Sequence, residues 1–277
     1  MKGETTGGVA YDTSALDACE REFWGDVWES VPDSLAAEKG IAMRGFGPVR
    51  ASIARELPRV GMMNLVLGAT EPGAIEDGHL AAAVEWAASH GVNYYVPVTQ
   101  GLEGAEAAEA WLEANGHTRG YAWMKFIRAA HPPRFKAPAV EVVELTDPEQ
   151  ASFGMVIATG FGLPAWASAF FAGLPGREGW RCYAALVDGE AQACAAMHVH
   201  GELAEFGPAA TLEPARGRGC QLALLHRRIL DAIDAGCRTF WVETGERVPD
   251  KPSTSYRNIL RAGFEEAYLR PNWKRRW

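Results

Sequence analysis

The sequence predicts an α/β (α+β) protein built as two similar halves, and three observations carry that reading. Its 277 residues are enough for two modest domains, each with its own core. A proline-rich run, HPPRFKAP at 131–138, separates two stretches that both alternate strand and helix patterns. A rhythm of helix, glycine and aromatic strand recurs on both sides of that run. The expected division is a domain over 1–130, a linker over 131–138 and a second domain over 139–277.

In the first half a helix over 78–90 stops at Gly91 before a strand over 94–98, and a helix over 105–115 stops at Gly116 with Tyr121 five residues on. The second half opens with a strand over 140–145. Two short helices follow within 148–173, joined where Gly160, Gly162 and Pro164 interrupt the apolar run. Strands over 182–187 and 192–199 meet at Asp188-Gly189, a strong hairpin signal. A third strand, 203–212, runs into a glycine- and arginine-rich loop. The helix over 221–235 has Leu222, Leu225, Ile229 and Ile233 at helical spacing and stops at Gly236. A strand over 239–243, a helix over 253–262 and a final pair of strands from Phe264 onward complete the half. The spacings Gly91 to strand and Gly116 to Tyr121 repeat at Gly236 and at Gly263 to Tyr268, which reads as an internal duplication.

Composition excludes several classes. With 48% hydrophobic residues and ten tryptophans the chain can bury far more surface than a disordered one. A formal net charge of -8 argues against nucleic acid as partner and suits a cationic amine. The five cysteines are widely spaced without a Cys-x-x-Cys pair, so neither a disulfide framework nor a zinc ribbon is expected. The opening MKGETTGGVAYDTS carries Glu4 and Asp12 and no apolar run, and a cytoplasmic setting is expected. Residues 151–176 carry no charge and have the length of a membrane span, but the glycines and prolines within them argue for buried helices and no membrane partner.

The segment TLEPARGRGCQL at 211–222 carries the chemistry. A strand leads into glycines and arginines and then directly into a helix, which makes an anion cradle. Gly217 and Gly219 let the backbone turn tightly, the helix start adds partial positive charge, and Arg216 and Arg218 can donate to a diphosphate. A Walker loop is excluded, because no Gly-Lys-Ser/Thr is present, and the Gly-x-Gly-x-x-Gly dinucleotide fingerprint fails at Leu222. An ordinary helix cap is the plainer reading of the same residues, and another diphosphate nucleotide is a further one.

The order of hairpin, third strand, this loop, long helix, strand and a helix ending in Arg261-Ala-Gly-Phe264 resembles the GNAT superfamily of acetyl-CoA-dependent N-acetyltransferases. The family motif Arg/Gln-x-x-Gly-x-Gly/Ala is matched at Arg216 and Gly219 and departs at Gln221. The resemblance covers about residues 140–271 and, more faintly, the first half. It implies two GNAT-like domains, each a mixed, mostly antiparallel twisted sheet flanked by helices, with a splay between the fourth and fifth strands. It also implies acetyl-CoA as co-substrate, no metal, and direct attack of an amine on the thioester. Pantetheine would pair with strand backbone at Ala209 and Thr211, and the diphosphate would lie on Arg216, Gly217, Arg218, Gly219, Cys220 and Gln221, with Asn258 nearby. In the first half, Glu71, Glu76 and Asp77 stand where the second has arginines, so that copy is expected to be degenerate and without a cofactor loop.

The reaction needs a proton acceptor, oxyanion donors and often an acid. Glu205, eleven residues before Arg216 within Ala204-Glu-Phe206, resembles the family's catalytic glutamate and is the expected base. His198 is its rival; His198, His200 and Cys194 share one strand face, which a period of two dictates. Pro208 lacks a backbone N–H and suits a splay. Tyr256 is the candidate acid, one helical turn from the family position, here Ile259. Phe161, Trp166 and Phe170, with Phe171, are expected to wall the acceptor site or to pack as core. The acceptor is a small-molecule or peptide amine, and the reading leaves a homodimer open. A non-catalytic acyl-CoA sensor is the alternative, motivated by Gln221 and Ile259.

Overall fold

The computed structural model describes residues 4–6, 9–147, 152–249 and 253–275. The expected helix start at Pro148 lies outside the described residues. The chain opens with β1 (Glu4–Thr6), β2 (Val9–Tyr11), α1 (Thr13–Glu29), α2 (Asp33–Lys39), β3 (Ile41–Phe46), β4 (Val49–Ala54), β5 (Leu65–Leu67), α3 (His79–Ser89), β6 (Val96–Pro97), α4 (Ala105–Ala114) and β7 (His117–Ala129). It continues with β8 (Glu141–Leu145), α5 (Ser152–Gly160), α6 (Ala169–Ala172), β9 (Trp180–Val187), β10 (Glu190–His200), β11 (Leu203–Thr211), α7 (Cys220–Asp234), β12 (Thr239–Gly245), α8 (Thr254–Arg261) and β13 (Glu265–Arg275). From α1 to β7 and again from α5 to β13 the order is two helices, three strands, helix, strand, helix, strand. The duplicated rhythm in the sequence is thus a repeated element order.

The chain forms two compact units that do not follow the expected division. Unit 1 comprises residues 1–12, 18–31 and 125–267, and unit 2 residues 13–17, 32–124 and 268–277. Long-range ion pairs explain why residues 18–31 and the end of β7 fall in unit 1. Lys125 on β7 pairs with Glu20 on α1 and Glu243 on β12, across 105 and 118 residues of sequence. No local pattern announces contacts of that range.

In unit 1 the strands run β13-β7-β12-β11-β10-β9-β8. β8, β9, β10 and β11 pair antiparallel, and β11 pairs with β12 in parallel. Asp188 (φ 55) and Gly189 (φ 83) make the β9–β10 turn, the left-handed pair that matches strand twist. α7 buries Leu222, Leu225, Ile229 and Ala232, a stripe of helical spacing, against β9, β10 and β11. The opposite face carries the inner side of α1, because alternation sends Phe206 toward Arg228 of α7 and Glu205 toward Cys19 of α1. The charge-free stretch is α5, a short 3₁₀ turn at Ala165–Ser168 and α6, and no helix among the described residues is long and apolar enough to cross a membrane.

In unit 2, β3-β4-β5 form an antiparallel sheet, while β6, β13 and β7 are neighbours in that order. β5 and the strand leading into β6 meet in parallel at Leu65 and Tyr95, the counterpart of β11 beside β12. α3 packs Leu80, Ala83, Val84 and Ala87 on β4, and the alanines allow a close approach. The expected final pair of strands is one strand, β13. Pro271 lies inside it, with its carbonyl accepting from Val98.

Candidate active site

The parallel register of β11 and β12 runs from Leu203↔Thr239 to Phe206↔Val242. Beyond it, β11 keeps its pairing with β10 as far as Thr211, across an irregularity between Ala195 and Met197. Residues 209–211 are therefore paired on the β10 side, and β11 and β12 part at Gly207-Pro208, where Pro208 has no N–H to give. Ala209 and Thr211, expected to pair with an extended ligand, lie half-buried on this stretch.

Thr211 leads through a 3₁₀ turn at Glu213–Ala215 into α7. Gly217 (φ 81) and Gly219 (φ 88) both adopt the left-handed conformation that glycine alone takes freely. A Cβ on Gly217 would meet nothing within 4 Å, whereas one on Gly219 would lie 2.8 Å from Pro138. No side chain caps α7, so its first-turn amides, beginning at Cys220, are not satisfied by a cap. Arg216 and Arg218 are exposed, and Arg218 reaches Asp188 at 3.3 Å. These groups fit an anionic ligand, with Arg216, Gly217, Arg218, Gly219 and the start of α7 as the residues to hold it.

Gln221 and Asn258 differ from their expected roles. The Gln221 amide donates to Ser255 at 3.0 Å and its carbonyl accepts from Asn258 at 2.8 Å, so this pair ties α7 to α8. Burial raises the Cys220 thiol above its ordinary value, which leaves it an unreactive neighbour of the loop.

Glu205 is only 5% exposed on β11 and accepts from the Cys19 thiol at 3.9 Å. Burial, followed by the Glu205 charge, pushes that thiol up, so Cys19 is a donor to the carboxylate rather than a nucleophile. Trp241 is the parallel partner of Glu205, and Lys125 sits 4.5 Å from the centre of its ring. Lys125 also donates to Glu20 at 3.1 Å and, more closely, to Glu243. Cys19, Glu20, Lys125, Glu205, Trp241 and Glu243 thus share one face, a mixed-charge cluster beside the parting strands.

His198 is the antiparallel partner of Glu205 and is equally buried. Its Nε2 faces Asp26 of α1 at 3.6 Å, and Asp26 accepts from Trp180 at 2.8 Å and Arg177 at 3.0 Å. Burial lowers the basicity of His198, against the opposing pull of Asp26 and Glu22. His200, two residues on, points to Glu22 at 2.6 Å near the surface.

Two expectations change. The Tyr256 hydroxyl donates to Glu266 at 2.6 Å, and its ring lies against Phe126 and under Arg247. Burial and then the Glu266 bond push its phenol up to about 12, so Tyr256 is a poor acid with its proton already placed. Phe170 is fully buried against Trp28 and Trp166, and Phe171 is buried beside it, so both are core rather than pocket wall. Phe161 is exposed and Trp166 half-buried. Cys19, Glu20, Asp26 and Lys125 escape sequence reasoning because they come from the first half, on elements with no motif. The only signal was their chemistry: four polar or ionisable residues among apolar neighbours.

No family model matches the chain, and no curated protein matches it by sequence. Solved structures do. A GCN5-related N-acetyltransferase from Kribbella flavida is 16% identical over 96% of this chain and 96% of its own, with a TM-score of 0.63. A tandem GNAT protein from the clavulanic acid biosynthesis pathway is 19% identical over 92% of this chain and 94% of its own, at 0.57. A GCN5-related N-acetyltransferase from Sphaerobacter thermophilus is 15% identical over 82% and 76%, also at 0.57. On these likenesses the chain has the fold of the GCN5-related N-acetyltransferases.

Proposed function

We propose that unit 1 is an acetyl-CoA-dependent N-acetyltransferase domain that acts on an amine of a small molecule or peptide, and that the first half is a GNAT-like copy that has lost its cofactor loop. The observation that carries this reading is the parting of β11 from β12 at Gly207-Pro208, on the strand that leads into the uncapped, arginine-flanked start of α7. Acetyl-CoA would supply an activated thioester carbonyl. Arg216, Arg218 and the first amides of α7 hold a diphosphate by charge-assisted hydrogen bonds. Backbone groups of 207–211 align an extended chain and offer N–H donors where negative charge develops. Glu205 takes the proton of the attacking amine. With Tyr256 committed to Glu266, the leaving thiolate is protonated by water.

A second reading, an acyl-CoA sensor without turnover, is favoured by the Gln221–Asn258 bond at the position where the family motif departs. Coenzyme A release over a broad amine panel separates the two. The transferase reading expects release with some amines and a loss of about 10²- to 10⁴-fold in Glu205→Gln. Calorimetry with acetyl-CoA, NAD and ATP accompanies it, and absent acetyl-CoA binding sinks both readings.

A further inference from the structure

We propose that His198 and Asp26 form the route by which a proton taken up at Glu205 leaves the site, with Asp26 of α1 as the positioning residue; this rests on the transferase reading. A buried base must discharge its proton before the next turnover. Glu205 and His198 are direct antiparallel partners, which places their β-carbons roughly 5 Å apart on one face. The Nδ1 of His198 is buried without a hydrogen-bond partner among the described residues, although the residue is only 6% exposed. A buried imidazole nitrogen that is left without a partner costs free energy, which is a feature of sites where a proton comes and goes. The other nitrogen, Nε2, faces Asp26 at 3.6 Å.

Asp26 is fixed rather than loose. Trp180 donates to its Oδ2 at 2.8 Å and Arg177 to its Oδ1 at 3.0 Å, while its side chain keeps 26% of its surface in solvent. One end of the path is therefore buried and the other wet. The proton of the amine passes to the Glu205 carboxylate and then to Nδ1 of His198. The imidazolium releases its Nε2 proton to Asp26, which gives it to water; Glu205 and Asp26 are then back in their starting forms, and the imidazole, left as the Nδ1–H tautomer, returns to the Nε2–H tautomer before the next turnover. The charged and titratable groups that face His198 are Asp26 and Glu22 from α1, Arg177 from the turn before β9, His200 from β10 and Glu205 from β11. Removing the Asp26 charge therefore makes the imidazole harder to protonate, and removing the Glu205 charge acts in the same direction.

The test uses the full-length protein labelled with ¹⁵N-histidine, with His198 assigned by the signal lost in His198→Gln. Its titration is followed in wild type, Asp26→Asn and Glu205→Gln, and the pH profile of coenzyme A release is measured alongside. Both variants are expected to move the His198 midpoint to lower pH. Asp26→Asn is expected to lower kcat on the order of 10²-fold with the KM for acetyl-CoA unchanged, and Asp26→Glu to recover most of it. A His198 midpoint indifferent to Glu205→Gln overturns the route, and that arm leaves Asp26 untouched should Asp26→Asn not fold. A kcat loss in Asp26→Asn with an unshifted pH profile and midpoint also overturns it, as the mark of a structural residue. Turnover without coupled titration removes the route alone, whereas coupled titration without turnover in the wild type removes the transferase reading.

Discussion

The starts of α3 and α7 are the same backbone device with opposite chemistry. Each helix follows a left-handed glycine, Gly78 (φ 74) or Gly219 (φ 88), and neither has a side-chain cap. Aligning these glycines sets Ile75-Glu76-Asp77 against Arg216-Gly217-Arg218. α3 has 11 residues and α7 has 15, so counting back from the terminal glycines Gly91 and Gly236 misplaces the loops by one helical turn, while one acid still faces an arginine, Asp77 opposite Arg218. Asp77 folds back over its own turn, where its Oδ2 would lie 2.7 Å from a Cβ on Gly73. The preceding strands differ as well. β5 is three buried apolar residues, whereas β11 runs for nine and continues past its parallel partner. A helix start is thus cheap to duplicate. Arginines around the helix start and a strand edge that runs past its parallel partner occur together only in the second half among the described residues.

The largest expected effect falls on unit 1. Lys125→Met leaves Glu20 buried without its cation and should cost about 3–5 kcal/mol, read as a lower midpoint in chemical denaturation. An unchanged midpoint would mean that the cluster does not hold α1 to unit 1. Next comes the charge itself. Making α7 resemble α3 with Arg216→Glu and Arg218→Glu should weaken acetyl-CoA about 10²-fold in calorimetry, less so in high salt. The reciprocal change, Ile75→Arg with Asp77→Arg, should create no acetyl-CoA site, because β5 offers no free edge; measurable binding would show that charge alone decides.

Acid should affect both units in the same sense. His117 in unit 2 and His198 in unit 1 are both made less basic by burial, so the folded state binds fewer protons than the unfolded one. That stability is present above the unfolded value, about 6.5, and is lost as pH falls below it. Thermal midpoints compared at pH 7.5 and 5.5 should fall, with a smaller drop in His117→Gln once its lower starting point is subtracted. The smallest effect is Tyr256→Phe. It should change turnover less than about twofold and cost about 1 kcal/mol, because it removes only the bond to Glu266. A large loss of turnover would restore Tyr256 as the acid.

Much of unit 1 was legible. The hairpin at Asp188-Gly189, the strand from Leu203, the glycine-arginine loop and α7 were each marked by local signals of turn chemistry and period. The stretch before residue 78 carries no such signals: its five strands and two helices interleave short apolar runs without strong punctuation. The final stretch, expected as a pair of strands, is the single strand β13, which runs on through Pro271. Of the site, Glu205, His198 and the loop were visible as motif positions. Their partners Cys19, Glu20, Asp26 and Lys125 were invisible, since each lies tens to nearly two hundred residues away in sequence.

By itself the sequence determined the fold class, the repeated order of elements and the location of the glycine-arginine loop before α7, because these rest on interactions between residues a few positions apart. The tertiary structure alone decided that α1 from residue 18 onward and the end of β7 belong to unit 1, that Tyr256 and Asn258 spend their polar groups on neighbours, and that Glu205 stands beside His198 and beneath Cys19. Those outcomes depend on which buried charges find one another across the chain, and desolvation makes that choice only once the core has closed.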